Sequence, residues 1–189
     1  MKVILAEDDP IIRMDLKYML KDDGIDLIGE CSDGLTAIHL TKMHRPDIVL
    51  MDIRMPKLDG IKASRIIYEK MLASVVLLTA YSDEETIKQA LNSGAQAYLV
   101  KPIEKKQILP AFMLAVARFE AQKTLINEVK SLNQIIADRK IINQAKKLLQ
   151  NEYKYTEQKA FQIIRDMSKQ KNKNMRDIAQ EILKNSNFS

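Results

Sequence analysis

The sequence predicts a parallel, doubly wound α/β domain followed by an all-helical second part, and three observations lead there. Short runs of β-branched and aliphatic residues alternate with helical-period segments through the first 110 of 189 residues. Those runs are apolar on both faces, as strands are when helices cover each side of their sheet. All 5 glycines and all 5 prolines lie at or before Pro110, so breaker chemistry stops there and the rest reads as helix.

The candidate strands are residues 3–6, 27–31, 48–51, 75–79 and 97–100. Helices are expected between them at about 10–22, 33–44, 59–71 and 82–93. Right-handed crossovers join such repeats into one sheet with helices on both sides.

Beyond the sheet, a helix begins at about 104 or 110 and runs to about 150. On it, Leu125, Val129, Leu132 and Ile136 recur at the spacing of a coiled-coil seam, a pattern that also fits one face of a bundle helix. The chain then turns over residues 151–155. Thr156 suits an N-cap and Glu157 the positive end of a helix whose inward stripe is Ala160, Ile163, Ile164 and Met167. Phe161, beside that stripe, is expected in the core. A polar run, 169–174, precedes a last helix bearing Ile178, Ala179, Ile182 and Leu183. The expected division is a first domain at 1–118, a helical linker at 119–138 and a three-helix module at 139–189.

In open α/β sheets the ligand site lies beyond the carboxyl ends of the strands. Strand one ends in Glu7-Asp8-Asp9, strand three in Asp52, strand four in Thr79-Ala80 and strand five in Lys101-Pro102. Two carboxylates about 5 Å apart repel by roughly 3 kcal/mol at an effective dielectric of about 20, so gathering Glu7, Asp8 and Asp52 calls for a cation. An all-oxygen set that leaves room for water suits Mg²⁺. Asp52 is then a competent nucleophile toward phosphorus, with Lys101 as a point charge for the phosphoryl oxygens and Thr79 as a hydroxyl donor. The peptide before Pro102 is a candidate cis bond.

Composition narrows the alternatives. A lone cysteine, Cys31, forms no intrachain disulfide, and with only His39 and His44 it assembles no zinc set; a buried apolar role is expected. With no apolar run of spanning length and no leader pattern, a cytoplasmic protein without a membrane segment is expected. The net charge of +5 is uneven: residues 119–189 hold 14 Lys/Arg against 8 Asp/Glu, so a polyanion should meet the second part.

The stretches "ILAEDDP", "LMDIRMPKLDG", "LLTAYS" and "AYLVKP", in this order, closely resemble the receiver domain of two-component response regulators. The resemblance implies a flavodoxin-like sheet of order 2-1-3-4-5, with Asp52 as phosphoacceptor. It makes Asp8 a direct Mg²⁺ ligand, Glu7 a ligand through water and the Arg54 backbone carbonyl a further ligand. Thr79 and Tyr98 become a switch pair, and Lys101 the phosphoryl partner. Many receivers carry two aspartates where this chain has Glu7-Asp8; Asp9 replaces one if the turn shifts by a residue. Phosphohydrolases resembling the haloacid dehalogenase group carry a second Asp two residues after the nucleophile, where Arg54 stands here. Nothing protonates a leaving group, so a phosphoacceptor rather than a turnover enzyme is expected.

The stretches "RKIINQAKKLL", "YTEQKAFQIIRDMS" and "DIAQEIL" resemble the ANTAR domain, a three-helix RNA-binding module of transcription antiterminators; Lys147 stands where related sequences often have glycine. The cations expected to meet RNA are Arg139, Lys146, Lys147, Arg165, Lys169, Lys171, Lys173 and Arg176. Together the resemblances imply a regulator charged on Asp52 by a sensor histidine kinase, dimeric once phosphorylated, that grips RNA hairpins of a leader transcript so that RNA polymerase reads past a terminator. Within the family the arrangement looks most like regulators of ethanolamine-utilisation operons. A DNA-binding response regulator is the alternative, since the basic face also suits a helix in a major groove; a tail that binds only protein is a third.

Overall fold

The computed structural model describes residues 1–80 and 93–185, and contacts divide the chain into two compact units, Met1–Thr124 and Leu125–Ser189. The first contains β1 (Lys2–Ala6), α1 (Pro10–Asp22), β2 (Asp26–Cys31), α2 (Gly34–His44), β3 (Ile48–Asp52), α3 (Gly60–Glu69), β4 (Ser74–Thr79) and β5 (Ala97–Val100). It also takes in the opening turns of α4, a helix spanning Lys105–Tyr153. The helix expected at 82–93 falls almost wholly outside the described residues.

All strand pairs are parallel, and the sheet order is β2-β1-β3-β4-β5, as the resemblance implied. Because side chains alternate along a strand, each central strand feeds two cores. Val3, Leu5, Ile48, Leu50, Val76 and Leu78 face Leu16 and Leu20 of α1 and Ile108, Phe112 and Ala115 of α4. Ile4, Ala6, Val49, Met51, Val75 and Leu77 face Ala37 and Ile38 of α2 and Ala63 and Ile67 of α3.

Helix starts follow their caps. Asp9, Asp33 and Asp59 keep extended backbones, and their carboxylates accept from N–H groups of the first turns of α1, α2 and α3. The predicted starts at 33 and 59 are therefore the caps themselves. Helix α3 stops at Glu69, two residues short of expectation, and Met71 beyond it takes φ 48°. Pro110 lies inside α4, where it gives up its own N–H bond to the preceding turn and its ring crowds the Lys106 carbonyl.

In the second unit the end of α4, α5 (Glu157–Lys171) and α6 (Met175–Asn185) close over an aliphatic core of Ala145, Leu149, Ala160, Ile164, Ile178 and Ala179. Thr156 caps α5, its hydroxyl accepting from Lys159 N at 3.2 Å. Helix α5 runs three residues into the expected polar stretch, since Lys169 and Lys171 complement its negative end; Asn172, with φ 51°, stops it.

Two expectations change. Phe161 is 41% exposed and not in the core: Ala160 and Ile164 already fill the inward face, and a ring one position after Ala160 is carried round toward solvent. Leu125, Val129, Leu132 and Ile136 are each more than half exposed, so the stripe is not a packed face of this unit's own bundle. No helix among the described residues is long and apolar enough to cross a membrane.

Candidate functional site

Strands β1 and β3 are neighbours with Ala6 opposite Met51, so the residues that follow come side by side at the sheet edge. Glu7 and Asp52 are buried and Asp8 is exposed, and one carboxylate oxygen from each lies within 4.8 Å of the others. Lys101, just past β5, reaches in: its Nζ is 2.7 Å from Glu7 Oε2 and 3.3 Å from Asp52 Oδ1. The Lys101–Pro102 peptide is cis.

Burial raises the pKa of both buried acids. For Glu7 desolvation is the largest cause, opposed by the Lys101 hydrogen bond and reinforced by the charge of Asp52. For Asp52 desolvation again leads, opposed by Lys101 and by the Ile53 N–H at 2.9 Å. One ammonium thus faces three carboxylates, a donor set of hard oxygens with surplus negative charge that fits a divalent cation such as Mg²⁺.

Several contacts fix this rim. Asp9 is used as the α1 cap, its Oδ1 accepting from Ile11 N at 2.7 Å and Ile12 N at 3.1 Å, so Glu7 and Asp8 are the acids turned to the cluster. Arg13 Nη1 donates to Glu7 O at 2.6 Å and clamps the loop after β1. Gly60 N donates to Ile53 O at 2.8 Å, and a Cβ on Gly60 would stand 2.0 Å from Asp52 O. Asp33, 4% exposed, accepts from Lys57 Nζ at 2.9 Å and from Thr36, while Gly34 N donates to Leu58 O. This pair ties the loop after β2 to the loop after β3. Arg13, Asp33 and Lys57 were not marked by the sequence, although a "DG" pair stands at both Asp33-Gly34 and Asp59-Gly60.

Asp8, Asp52, Arg54, Met55 and Thr79 line one cleft of about 810 Å³. Thr79 is buried at the end of β4. Tyr98 is not brought there: it is 42% exposed and lines a separate hollow with Gln96, Leu114 and Arg118. Cys31 is buried as expected, its thiol pushed up to about 11 by desolvation.

The basic residues of the second unit fall into two groups. Lys146 pairs with Glu157 at 2.7 Å, Lys171 and Lys173 both pair with Glu181 at 2.8 and 2.5 Å, and Arg176 Nε lies 3.3 Å from Asp138. These lysines hold the Glu181 carboxyl down to about 2. Arg139, Lys147, Arg165 and Lys169 are exposed and have no ion-pair partner among the described residues; Arg165 donates to Gln162.

A parallel 2-1-3-4-5 sheet with carboxylates and a lysine at its strand ends defines a receiver-type protein. Residues 3–113 match the family model of the response regulator receiver domain, and residues 130–183 match that of the ANTAR domain. The chain belongs to the response regulators, with a receiver domain followed by an ANTAR domain. It is 40% identical over 182 residues to the transcriptional regulatory protein PdtaR of Mycobacterium tuberculosis, covering 96% of this chain and 89% of that protein. Among solved structures it is similar to the receiver domain of sensor histidine kinase PA1611 from Pseudomonas aeruginosa, which has a magnesium ion coordinated in its active-site cleft. That match has TM-score 0.56 and 27% identity over 61% of this chain and 97% of that one. The CheX–CheY–BeF3–Mg complex of Borrelia burgdorferi also matches, with TM-score 0.56 and 30% identity over 59% and 86% of the two chains.

Proposed function

We propose that this response regulator accepts a phosphoryl group on Asp52 and, so charged, dimerises and binds RNA hairpins to promote transcription antitermination. The observation that carries the first half is the meeting of Glu7, Asp8, Asp52 and Lys101 at one sheet edge. The second half rests on the ANTAR match together with a basic helical unit.

An Asp52 carboxylate oxygen attacks phosphorus; the phosphorus–nitrogen bond of a phosphohistidine in a sensor kinase breaks, and the imidazole keeps the electron pair and takes a proton. Glu7, Asp8, Asp52 and the Arg54 carbonyl would hold Mg²⁺, which when bound neutralises the incoming phosphoryl oxygens. Lys101 supplies a further positive charge, and Thr79 turns its hydroxyl to a phosphoryl oxygen. The acyl phosphate adds about −1.5 to −2 charge at this point. Movement of Thr79 toward it opens space into which the exposed ring of Tyr98 turns.

The exposed stripe from Leu125 to Ile136 then pairs with that of a second chain. Two joined RNA modules on adjacent hairpins bind more tightly than either alone.

The test compares wild type with a folded Asp52→Ala variant, each incubated with Mg²⁺ and a small phosphodonor, for self-association and for gel shifts on paired RNA hairpins and on duplex DNA. Association and RNA binding should be enhanced in the wild type alone. Equal behaviour of the variant would sink the switch, and a shift on DNA alone would favour a DNA-binding regulator.

A further inference from the structure

The turn between α4 and α5 carries two tyrosines that lie outside the unit's buried core. Tyr153, the last residue of α4, and Tyr155 have ring centroids 5.7 Å apart and planes inclined by 14°, an offset stack. They are 58% and 38% exposed. The core of this unit is aliphatic throughout, and its three described aromatics, Tyr153, Tyr155 and Phe161, all lie at the surface.

We propose that Tyr153 and Tyr155 form a stacking platform for an unpaired base of the bound RNA, an inference that rests on the RNA-binding reading above. Single-stranded loops are recognised by splaying bases onto aromatic faces, with cations alongside for the phosphates. Lys154 lies between the two tyrosines in the chain, in the left-handed region at φ 54°, and Lys147 precedes them on α4; neither has an ion-pair partner among the described residues. Stacked, exposed rings in a unit rich in Lys and Arg, with an uncommitted lysine between them in the chain, match a nucleotide better than an apolar peptide.

The platform is preorganised. Lys146 of α4 pairs with Glu157 of α5 across the turn, Thr156 caps α5, and the rings already rest on each other. Binding a base therefore orders little that is not ordered beforehand. A competing role exists for Tyr155, which precedes the cap and could staple against Ala160 at the fourth helical position; that role would show in stability and not in RNA affinity.

The experiment uses the full chain, charged with Mg²⁺ and a small phosphodonor, and a pool of stem-loop RNAs with one stem and randomised loops, with the tightest member then carrying 2-aminopurine at each loop position in turn. Tyr153→Leu and Tyr155→Leu should each weaken binding about ten-fold, while Tyr→Phe at either position retains it. The salt slope and the thermal unfolding temperature should not move. Wild-type protein should quench the probe at one loop position, and the leucine variants should not. Leucine variants that bind as tightly as wild type, or a wild-type complex without quenching, would overturn the platform while leaving RNA binding intact. Lost affinity accompanied by a lowered unfolding temperature would also overturn it, in favour of the staple. If wild type binds no member of the pool, the RNA reading fails and takes this inference with it.

Discussion

The Lys101 ammonium stands closer to Glu7, at 2.7 Å, than to Asp52, at 3.3 Å. Glu7 is nearly solvent-free, and this lysine is the main group offsetting its burial. Lys101 is thus shared between holding an acid of the proposed metal set and facing the proposed phosphoacceptor.

Lys101→Ala should separate the two duties. Without the ammonium, Glu7, Asp8 and Asp52 present a stronger negative field, and Mg²⁺ affinity should rise by about ten-fold. Phosphorylation by a small phosphodonor should fall even with Mg²⁺ saturating. Metal titration calorimetry and a phosphorylation time course, run on the same sample, check both.

Asp52→Asn should stabilise the protein when no divalent cation is bound. The folded-state pKa of Asp52 lies above its ordinary value through desolvation. The folded chain therefore holds its proton more tightly, and stability declines as pH rises from about 4 through the folded value. The variant should unfold at a higher temperature than wild type near neutral pH, with the gap closing below about pH 4. Added Mg²⁺ should raise the wild type more than the variant. Scanning calorimetry with and without Mg²⁺ is the check.

Asp33→Asn has the opposite sign. Lys57 first, then the Thr36 N–H, hold the Asp33 carboxyl down to about 2. The charge therefore contributes stability above the unfolded value near about 4, and that contribution is lost as pH falls toward the folded one. Because the Lys57 side chain is 62% exposed and asparagine still caps α2, the loss at neutral pH should be only about 0.5–1 kcal/mol. Urea unfolding over a pH series should show the difference vanishing by about pH 2.

Leu132→Glu should leave the monomer folded and unable to pair. Leu132 is 59% exposed, so the exchange should change stability by less than about 0.5 kcal/mol. In a two-chain seam it would bury like charges. Sedimentation of the phosphorylated proteins should give a dimer for wild type and a monomer for the variant.

What the sequence disclosed follows from how local each cause is. Apolar runs ending in Glu7, Asp52, Thr79 and Lys101 marked both the sheet and the edge that holds the candidate site, because strand and site residue are adjacent in the chain. Thr156 was legible as a cap for the same reason. Asp33 and Lys57 lie 24 residues apart in two loops that no periodicity links. Phe161 was misplaced because a ring bordering an apolar stripe turns inward or outward according to how much room its neighbours leave. Tyr98 stands on β5 yet opens to another hollow, a matter of strand faces rather than of sequence order.

The carboxylates of Glu157, Glu181 and Asp138 already occupy Lys146, Lys171, Lys173 and Arg176. Any polyanion arriving at the second unit must displace internal acids from those cations, whereas at Arg139, Lys147, Arg165 and Lys169 it displaces dissolved anions and water. The number of small ions released on association, and with it the steepness of the ionic-strength dependence, should therefore track the second set and fall well below what a census of positive residues suggests.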